Sequence, residues 1–584
     1  MFSTGAAPGE MGMQQAGWQP GGSLDAYKAT EPYTPPEGCY SDLSRCPPCE
    51  MRVGHNGRGI WTRPSLPDQF IPRPGATMLR LVPHVTALST QYLTSHCSGC
   101  HEEQKSNKPL LRCQRCKIVC YCDQACQKSD WPLHKFECPA LVAHAEKRGT
   151  TSESDEGSSE GTVGTVFVPS ETVRALGRLV WLHSREKSNS VKAGFGKRYR
   201  GSIIEANAHT LSTPSLTPIG VALSPVAALI NHSCVPNCVV VFPKASETKK
   251  VPNEMLIIAI GKILPGEEVQ IPHTLGKFAD NKILQERYFF KCHCPNCEMT
   301  SLVKTPYVDS RRAFRCASKT CEGFLPMPSM QSQLGQKQRF NVYSAISCAL
   351  SNPRRSQMQS DSEKKGSKGR RNFNSLVSYF RSPGLTYHQS LTLCAGLLDP
   401  ERAFKYTSNL IPMVSRFFHP SAHPLLALSR LHLSLLISRL DLDRSILDEA
   451  IRAAARVAAG ISAVLPAGHP VRAVTYAELG KLLAVDEYYP EGQEPPEPTS
   501  AQLDPKANLT WVAGDEMGIP KGFERLRLAH HTLMQARQEL LIGFGHSEEG
   551  GAVGKEVTEL ARKIEQEVAI WRKAGGGKRP VSIS

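Results

Sequence analysis

No run of eighteen uncharged apolar residues occurs in this chain of 584 residues, so the sequence offers no membrane-spanning helix. The stretch MFSTGAAPGE at its start has neither a basic n-region nor an apolar core, which predicts no secretory signal. Acidic residues are in deficit: 54 Asp and Glu stand against 69 Lys and Arg, a formal net charge of +15. A concentrated excess of that kind attracts nucleic acid or acidic partners, but much of this one is scattered, which fits a solvated basic surface equally well. Also missing is a strict 34-residue period in the later part of the chain, which argues against a true tetratricopeptide array. Cysteine, by contrast, is plentiful. Twenty cysteines without a secretory leader favour metal binding over disulfides, and hence the reducing nucleus and cytoplasm.

Eight candidate zinc ligands fall between residues 97 and 138: Cys97, Cys100, Cys113, Cys116, Cys122, Cys126, His134 and Cys138. Two closed tetrahedral sites need that number. They come as two CxxC knuckles, then Cys122 and Cys126 four apart, then His134 and Cys138 four apart, so that each later pair can share a helix face. Asp130-Trp131-Pro132 reads as a helix start, with Asp130 as cap and Pro132 in the first turn. Cys120 is left over as a small buried thiol. The competing reading, a disulfide cluster or free buried thiols, fits a mixed His/Cys set less well.

The words CSGC (97–100), RCQRC (112–116), YCDQACQ (121–127) and DWPLHKFEC (130–138) resemble the MYND finger. The resemblance implies interleaved ligands, with Cys97, Cys100, Cys122 and Cys126 on one zinc and Cys113, Cys116, His134 and Cys138 on the other. Filled tetrahedra leave no position for an activated water, so such ions brace the fold while the module binds protein ligands.

Further on, residues 228–238 set a polar word, Asn231-His232-Ser233-Cys234, between apolar runs, and buried polar groups must find partners. Cys292, Cys294 and Cys297 form a trio that lacks a fourth tetrahedral ligand, which Cys234 can supply. These words resemble those of SET-domain lysine methyltransferases, and with the finger they resemble the SET-and-MYND (SMYD) family. GRGIW (57–61) resembles the GxG opening of the SET domain, NHSCVPN (231–237) and PGEEV (265–269) its central words, and RYFFKCHCPNC (287–297) its post-SET closure. The resemblance implies methyl transfer from S-adenosyl-L-methionine to a protein lysine, with Zn2+ at three structural sites. It implies that Gly57, Arg58, Gly59, Asn207, Asn231 and His232 hold the cofactor, and that Tyr288 and Phe290 line the lysine channel. Two departures stand out. Where the family has Tyr after the GEE word, this chain reads Gln270-Ile271-Pro272-His273, and where many relatives have Asn-Ala/Ser-Phe it has Asn207-Ala208-His209. His273 and His209 are therefore candidate channel residues, and a neutral imidazole can accept a contact there as a phenolic oxygen does.

The expected fold is multidomain α+β: a β-rich SET fold interrupted by a MYND zinc finger, a zinc-bound post-SET closure, and a C-terminal all-α helical-hairpin domain of degenerate TPR-like kind. Residues 1–50 read as a flexible leader, 51–96 as the first SET part, 97–138 as the finger and 139–164 as an acidic linker. The SET core with its insert follows at 165–290, the post-SET at 291–325, a basic low-complexity linker region at 326–384, the helical domain at 385–572 and a basic tail at 573–584. Cys39, Cys46 and Cys49 in the leader are a weak metal signal, and Cys316 and Cys321 form a candidate small knuckle short of ligands. Lys364, Lys365, Lys368, Arg370 and Arg371 form a basic cluster that offers a non-specific nucleic-acid tether, a nuclear import signal or a plain solvated loop. The expected activity is protein-lysine methylation of histone or non-histone substrates, with no membrane partner. The alternative is a catalytically weak or inactive SET–MYND adaptor that binds protein partners through its finger and helical array.

Overall fold

In the computed structural model, placement is described for residues 49–67, 71–149, 168–187, 207–242, 254–272, 284–301, 309–325, 400–485 and 519–573, with breaks at 55–56, 106, 286–287, 289, 316–323, 416 and 441–445. Two compact units result. The first comprises Met1–His273, Asn281–Cys292 and Phe544–Ala552, and the second Thr274–Asp280, His293–Gly543 and Val553–Ser584.

Small sheets build the first unit. Strands β1 (Cys49–Gly54) and β2 (Gly57–Thr62) pair antiparallel from Cys49↔Thr62 to Gly54↔Gly57. Strand β3 (Thr77–Leu81) edges a three-stranded sheet with β10 (Cys238–Val241) and β11 (Met255–Ala259), in the order β10-β11-β3. All five residues of β11 are buried, as a central strand rich in Ile and Leu must be. A second trio has the order β4-β8-β7, from β4 (Val85–Leu88), β7 (His209–Ser212) and β8 (Pro218–Leu223). Its strands approach closely at Gly220, where a Cβ would stand 2.2 Å from the Ala87 carbonyl oxygen. Strands β9 (Asn231–His232) and β12 (Gln270–Ile271) pair parallel, Asn231 against Gln270 and His232 against Ile271.

Within the finger, β5 (Leu111–Arg112) pairs with β6 (Cys120–Tyr121), and helix α1 (Gln124–Gly149) follows. Helix α2 (Glu171–Lys187) lies against α1 and β4. One apolar cluster joins Ile60, Met78 and Ile257 of the sheets to Val119 and Tyr121 of the finger and to Leu141 further along α1, so both share a core.

Two expectations for the finger are corrected. Helix α1 starts at Gln124 and runs through Pro132 and Pro139, so Asp130 lies inside it rather than at its start. The cap is Asp123, whose Oδ1 accepts from the Cys126 N–H at 2.9 Å, the geometry a cap oxygen makes with the third helical residue. Asp130 instead ion-pairs with Arg178, a partner 48 residues away that no local capping signal reveals. Because α1 begins after Cys122, Cys122 and Cys126 do not share a helix face, whereas His134 and Cys138 both lie on α1.

The second unit opens with α3 (Pro295–Ser301) and the strand pair β13 (Phe314–Arg315) and β14 (Phe324–Leu325). Helices then follow: α4 (Pro400–Val414), α5 (His423–Ile437), α6 (Leu447–Ser462), α7 (Pro470–Ala484), α8 (Gly522–Gly543) and α9 (Gly551–Lys573). From α4 to α8 each helix packs on the next. Leu425, Leu428, Leu431, Leu435 and Leu436, spaced along one side of α5, are all buried. His469 caps α7: its Nδ1 accepts from the Val471 N–H at 3.2 Å, and Pro470 takes the first helical position.

Candidate metal centres and cofactor pocket

Three groups of four side chains have their ligand atoms within 4.8 Å of one another. Cys97, Cys100, Cys122 and Cys126 form one, Cys113, Cys116, His134 and Cys138 the second, and Cys234, Cys292, Cys294 and Cys297 the third. The Cys100 and Cys122 sulfurs are 3.6 Å apart, those of Cys113 and Cys138 3.9 Å, and those of Cys234 and Cys292 3.7 Å. A zinc tetrahedron with bonds of about 2.3 Å has edges of about 3.8 Å, so these spacings suit zinc. His134 Nε2 faces the second group, 3.4 Å from Cys113 Sγ and 3.7 Å from Cys116 Sγ. The cysteines of the three groups form no disulfides, which disposes of the disulfide reading of the finger. Among the described residues the chain thus carries three Cys or Cys/His clusters of zinc-binding type. Cys120 is buried beside them, as expected of a leftover thiol. Cys49 is buried in β1, while Cys39, Cys46, Cys316 and Cys321 lie outside the described residues.

The words 57–61, 231–237 and 265–269 meet in space. Val269 N–H donates to the Ile60 carbonyl at 2.8 Å, and Thr62 N–H to Glu267 O at 2.9 Å, which joins β2 to the PGEEV turn. Asn231 Nδ2 donates to the Arg58 carbonyl at 3.2 Å and to Glu268 Oε1 at 2.6 Å. A Cβ on Gly59 would stand 2.5 Å from Glu268 Oε1, 2.9 Å from Asn231 Nδ2 and 3.1 Å from Trp61 Nε1. Glycine is therefore required where these polar groups converge into a small cradle. Trp61 Nε1 is buried there with no hydrogen-bond partner among the described residues. A buried indole N–H without an acceptor is costly, and an amino-acid-like ligand with a carboxylate and an ammonium fits a cradle that offers this donor beside the Glu268 carboxylate. Gly57, with φ of +91°, turns the chain into this strand.

An aromatic group stands beside His232. The His232 and Phe290 rings are 5.5 Å apart, and those of Tyr288 and Phe290 6.3 Å. His232 Nε2 also lies 3.3 Å from Cys234 Sγ, so the imidazole touches both the aromatic group and the third thiol cluster. His209 begins β7, and burial lowers its pKa to about 4 against an opposing backbone contact at Ala227, so its ring is neutral at pH 7. Asn207, half-buried, stands two residues before β7. His273 and the basic cluster 364–371 lie outside the described residues. Glu268, Trp61 and Asn237 join the site although the sequence shows them only as parts of longer words. Their signal was the charge of a second glutamate and an indole beside a GxG turn.

A MYND finger family model matches residues 96–138. The histone-lysine N-methyltransferase ASHR1 of Arabidopsis thaliana is 27% identical over 293 residues, covering 43% of this chain and 57% of that protein. The SET domain and MYND-type zinc finger protein 6 of Schizosaccharomyces pombe is 28% identical over 251 residues, 38% of this chain and 47% of the relative. The N-lysine methyltransferase SMYD2 of Gallus gallus is 27% identical over 262 residues, 37% and 53%. The chain spans about half the length of the curated relatives it matches. With its two thiol-rich centres inside the matched segment, this is a zinc-finger protein of the MYND class. The finger, together with relatives named for SET and MYND modules, supports a place among SET and MYND domain proteins.

No helix among the described residues is long and apolar enough to cross a membrane.

Proposed function

We propose that this chain is a protein-lysine N-methyltransferase that uses S-adenosyl-L-methionine and acts on histone or non-histone lysines in the nucleus and cytoplasm. The observation that carries the reading is the cradle at Gly59, where Asn231 and Glu268 converge beside the buried Trp61 N–H, which has no partner among the described residues. The backbone of Gly57, Arg58 and Gly59, with Asn207, Asn231 and His232, would hold the cofactor. S-adenosyl-L-methionine supplies a sulfonium-borne methyl group for in-line displacement, which asks the protein for alignment more than for acid–base power. Tyr288 and Phe290 would line the lysine channel, and His209 and His273 stand in the sequence where the family resemblance implies Phe and Tyr. An apolar channel strips the lysine of its proton by desolvation, and only the free amine has a lone pair. A neutral His209 adds no positive charge near the sulfonium. The twelve residues of the three clusters are the zinc ligands, and the finger takes protein ligands.

The test is transfer of a labelled methyl group to lysine in cell-extract proteins, by wild type and by His273→Tyr. Labelling by wild type supports the proposal. Labelling by His273→Tyr alone, or by neither, gives the adaptor reading in its place.

A further inference from the structure

A buried charge cluster separates the finger from α2. Asp130, Glu137, Arg174 and Arg178 are each less than a tenth exposed. Arg178 donates from Nη1 to Asp130 Oδ1 at 2.9 Å and to the Thr86 carbonyl at 3.0 Å, and from Nη2 and Nε to Glu137 Oε2 at 2.6 and 3.0 Å. Arg174 donates from Nε to Glu137 Oε1 at 2.6 Å and from Nη1 to the Leu88 carbonyl at 2.9 Å. Tyr121 donates its hydroxyl to Asp130 Oδ2 at 2.9 Å. Both arginines therefore bridge carboxylates of α1 to carbonyls of β4.

One atom is left over. His134 Nδ1 is buried and has no hydrogen-bond partner among the described residues, while Glu137 Oε2 faces it at 3.6 Å, within ionic reach but beyond a hydrogen bond. Since Nε2 is the nitrogen that faces the thiols, a seated ion leaves Nδ1 as the protonated one, and a buried N–H needs an acceptor. A small turn of the ring or the carboxylate closes the gap.

We infer that Glu137 is the outer partner of His134 and that Arg174 and Arg178 hold it in place, so that filling of the Cys113–Cys116–His134–Cys138 site and seating of α2 on β4 are one event. Charge supports the coupling. Three thiolates on a divalent ion carry a net −1, and the Asp130 and Glu137 carboxylates would bring the buried total to −3. Two guanidiniums return it to −1, so the arginines make a carboxylate beside an anionic site tolerable. The seat also reaches toward the proposed channel, because Thr86 pairs with Ala222, and Ala222 with His209 on its other edge. The inference needs the second metal site alone and stands apart from the methyltransferase reading.

The test uses the full chain loaded with cobalt, because the second site alone has a nitrogen ligand and its visible bands differ from those of all-thiolate sites. In Glu137→Gln one ion of three is held about 10–100-fold more weakly, the bands of the nitrogen-bearing site alone shift, and amide exchange rises in α2 and β4. Arg178→Met gives the same pattern and Arg178→Lys a milder one. In a His134→Cys background, with no imidazole to orient, Glu137→Gln adds no further loss of metal affinity. Unchanged cobalt affinity and spectrum in Glu137→Gln would overturn the inference, and so would an equal effect in the His134→Cys background or unaltered exchange in α2. Where Glu137→Gln does not fold, Arg178→Lys is read by the same criteria.

Discussion

Asn237 meets Gln270 as a strand would: its Oδ1 accepts from the Gln270 N–H at 2.8 Å while its Nδ2 donates to the Glu268 carbonyl at 2.8 Å. One side-chain amide thus takes the place of a ladder residue and holds β12 where Glu268 can reach Asn231. The expected outcome of Asn237→Asp is a loss of about 1–3 kcal/mol, because a carboxylate cannot donate and faces the Glu268 carbonyl instead. Denaturant unfolding checks the stability. Calorimetry with S-adenosyl-L-methionine should show weaker binding, since the Asn231–Glu268 contact shifts with β12.

Gly59→Ala tests the cradle. The added methyl would sit 2.5 Å from Glu268 Oε1 and 2.9 Å from Asn231 Nδ2, so β2 or the PGEEV turn must move, at a cost of about 1–3 kcal/mol for an overpacked site. Cofactor affinity should fall more than tenfold while zinc content stays the same. Unaltered affinity would mean that no ligand lies over Gly59.

What the sequence made legible was set by spacing, and what it hid was set by distance along the chain. Paired ligands a few residues apart announced the metal groups, and Cys234 was reachable because the late trio lacked a fourth ligand. Leucines at helical spacing in α5 announced its buried side in the same way. Asp130 was misread because a capping word is a local signal, whereas its real partner, Arg178, enters from a helix beyond the acidic linker. Glu268 was passed over because its role needs Asn231 and Gly59 beside it, and only folding brings those words together.

Acid should weaken the helical unit through His469. Burial lowers its pKa from 6.5 to about 3, so between those values the unfolded chain binds a proton that the folded one refuses. The contribution is therefore complete above about pH 6.5 and is lost as pH falls toward 3, by up to about 2 kcal/mol at pH 5. Glu539, whose carboxylate accepts from the Gly468 N–H at 3.3 Å, has a pKa raised by burial and pulls the other way. The comparison is thus with His469→Asn, which keeps an N-cap oxygen but does not titrate. Urea midpoints of the helical signal should fall less between pH 7.5 and 5 in that variant than in wild type.

A strong chelator should separate the units. All eight finger ligands lie in the first unit, and none of the three clusters contains a residue of the helices between 400 and 573. Metal removal is expected to abolish protection of the finger amides and leave most of the far-ultraviolet helical signal in place. Equal loss of exchange protection in α5, α6 and α7 would show that these helices depend on the metals.

Cys234→Ser joins the metal and cofactor questions in one variant. Its sulfur stands 3.7 Å from Cys292 Sγ and 3.3 Å from His232 Nε2, so the residue serves the third thiol group and touches the imidazole proposed to hold the cofactor. A hydroxyl is a far poorer zinc ligand than a thiolate. Metal content should fall from three ions to two, and S-adenosyl-L-methionine should bind about 10–100-fold more weakly as His232 loses its neighbour. Three ions in the variant would remove Cys234 from the site. Two ions with full cofactor affinity would keep the metal centre but show that His232 is positioned from the aromatic side, by Phe290, rather than by the thiolate.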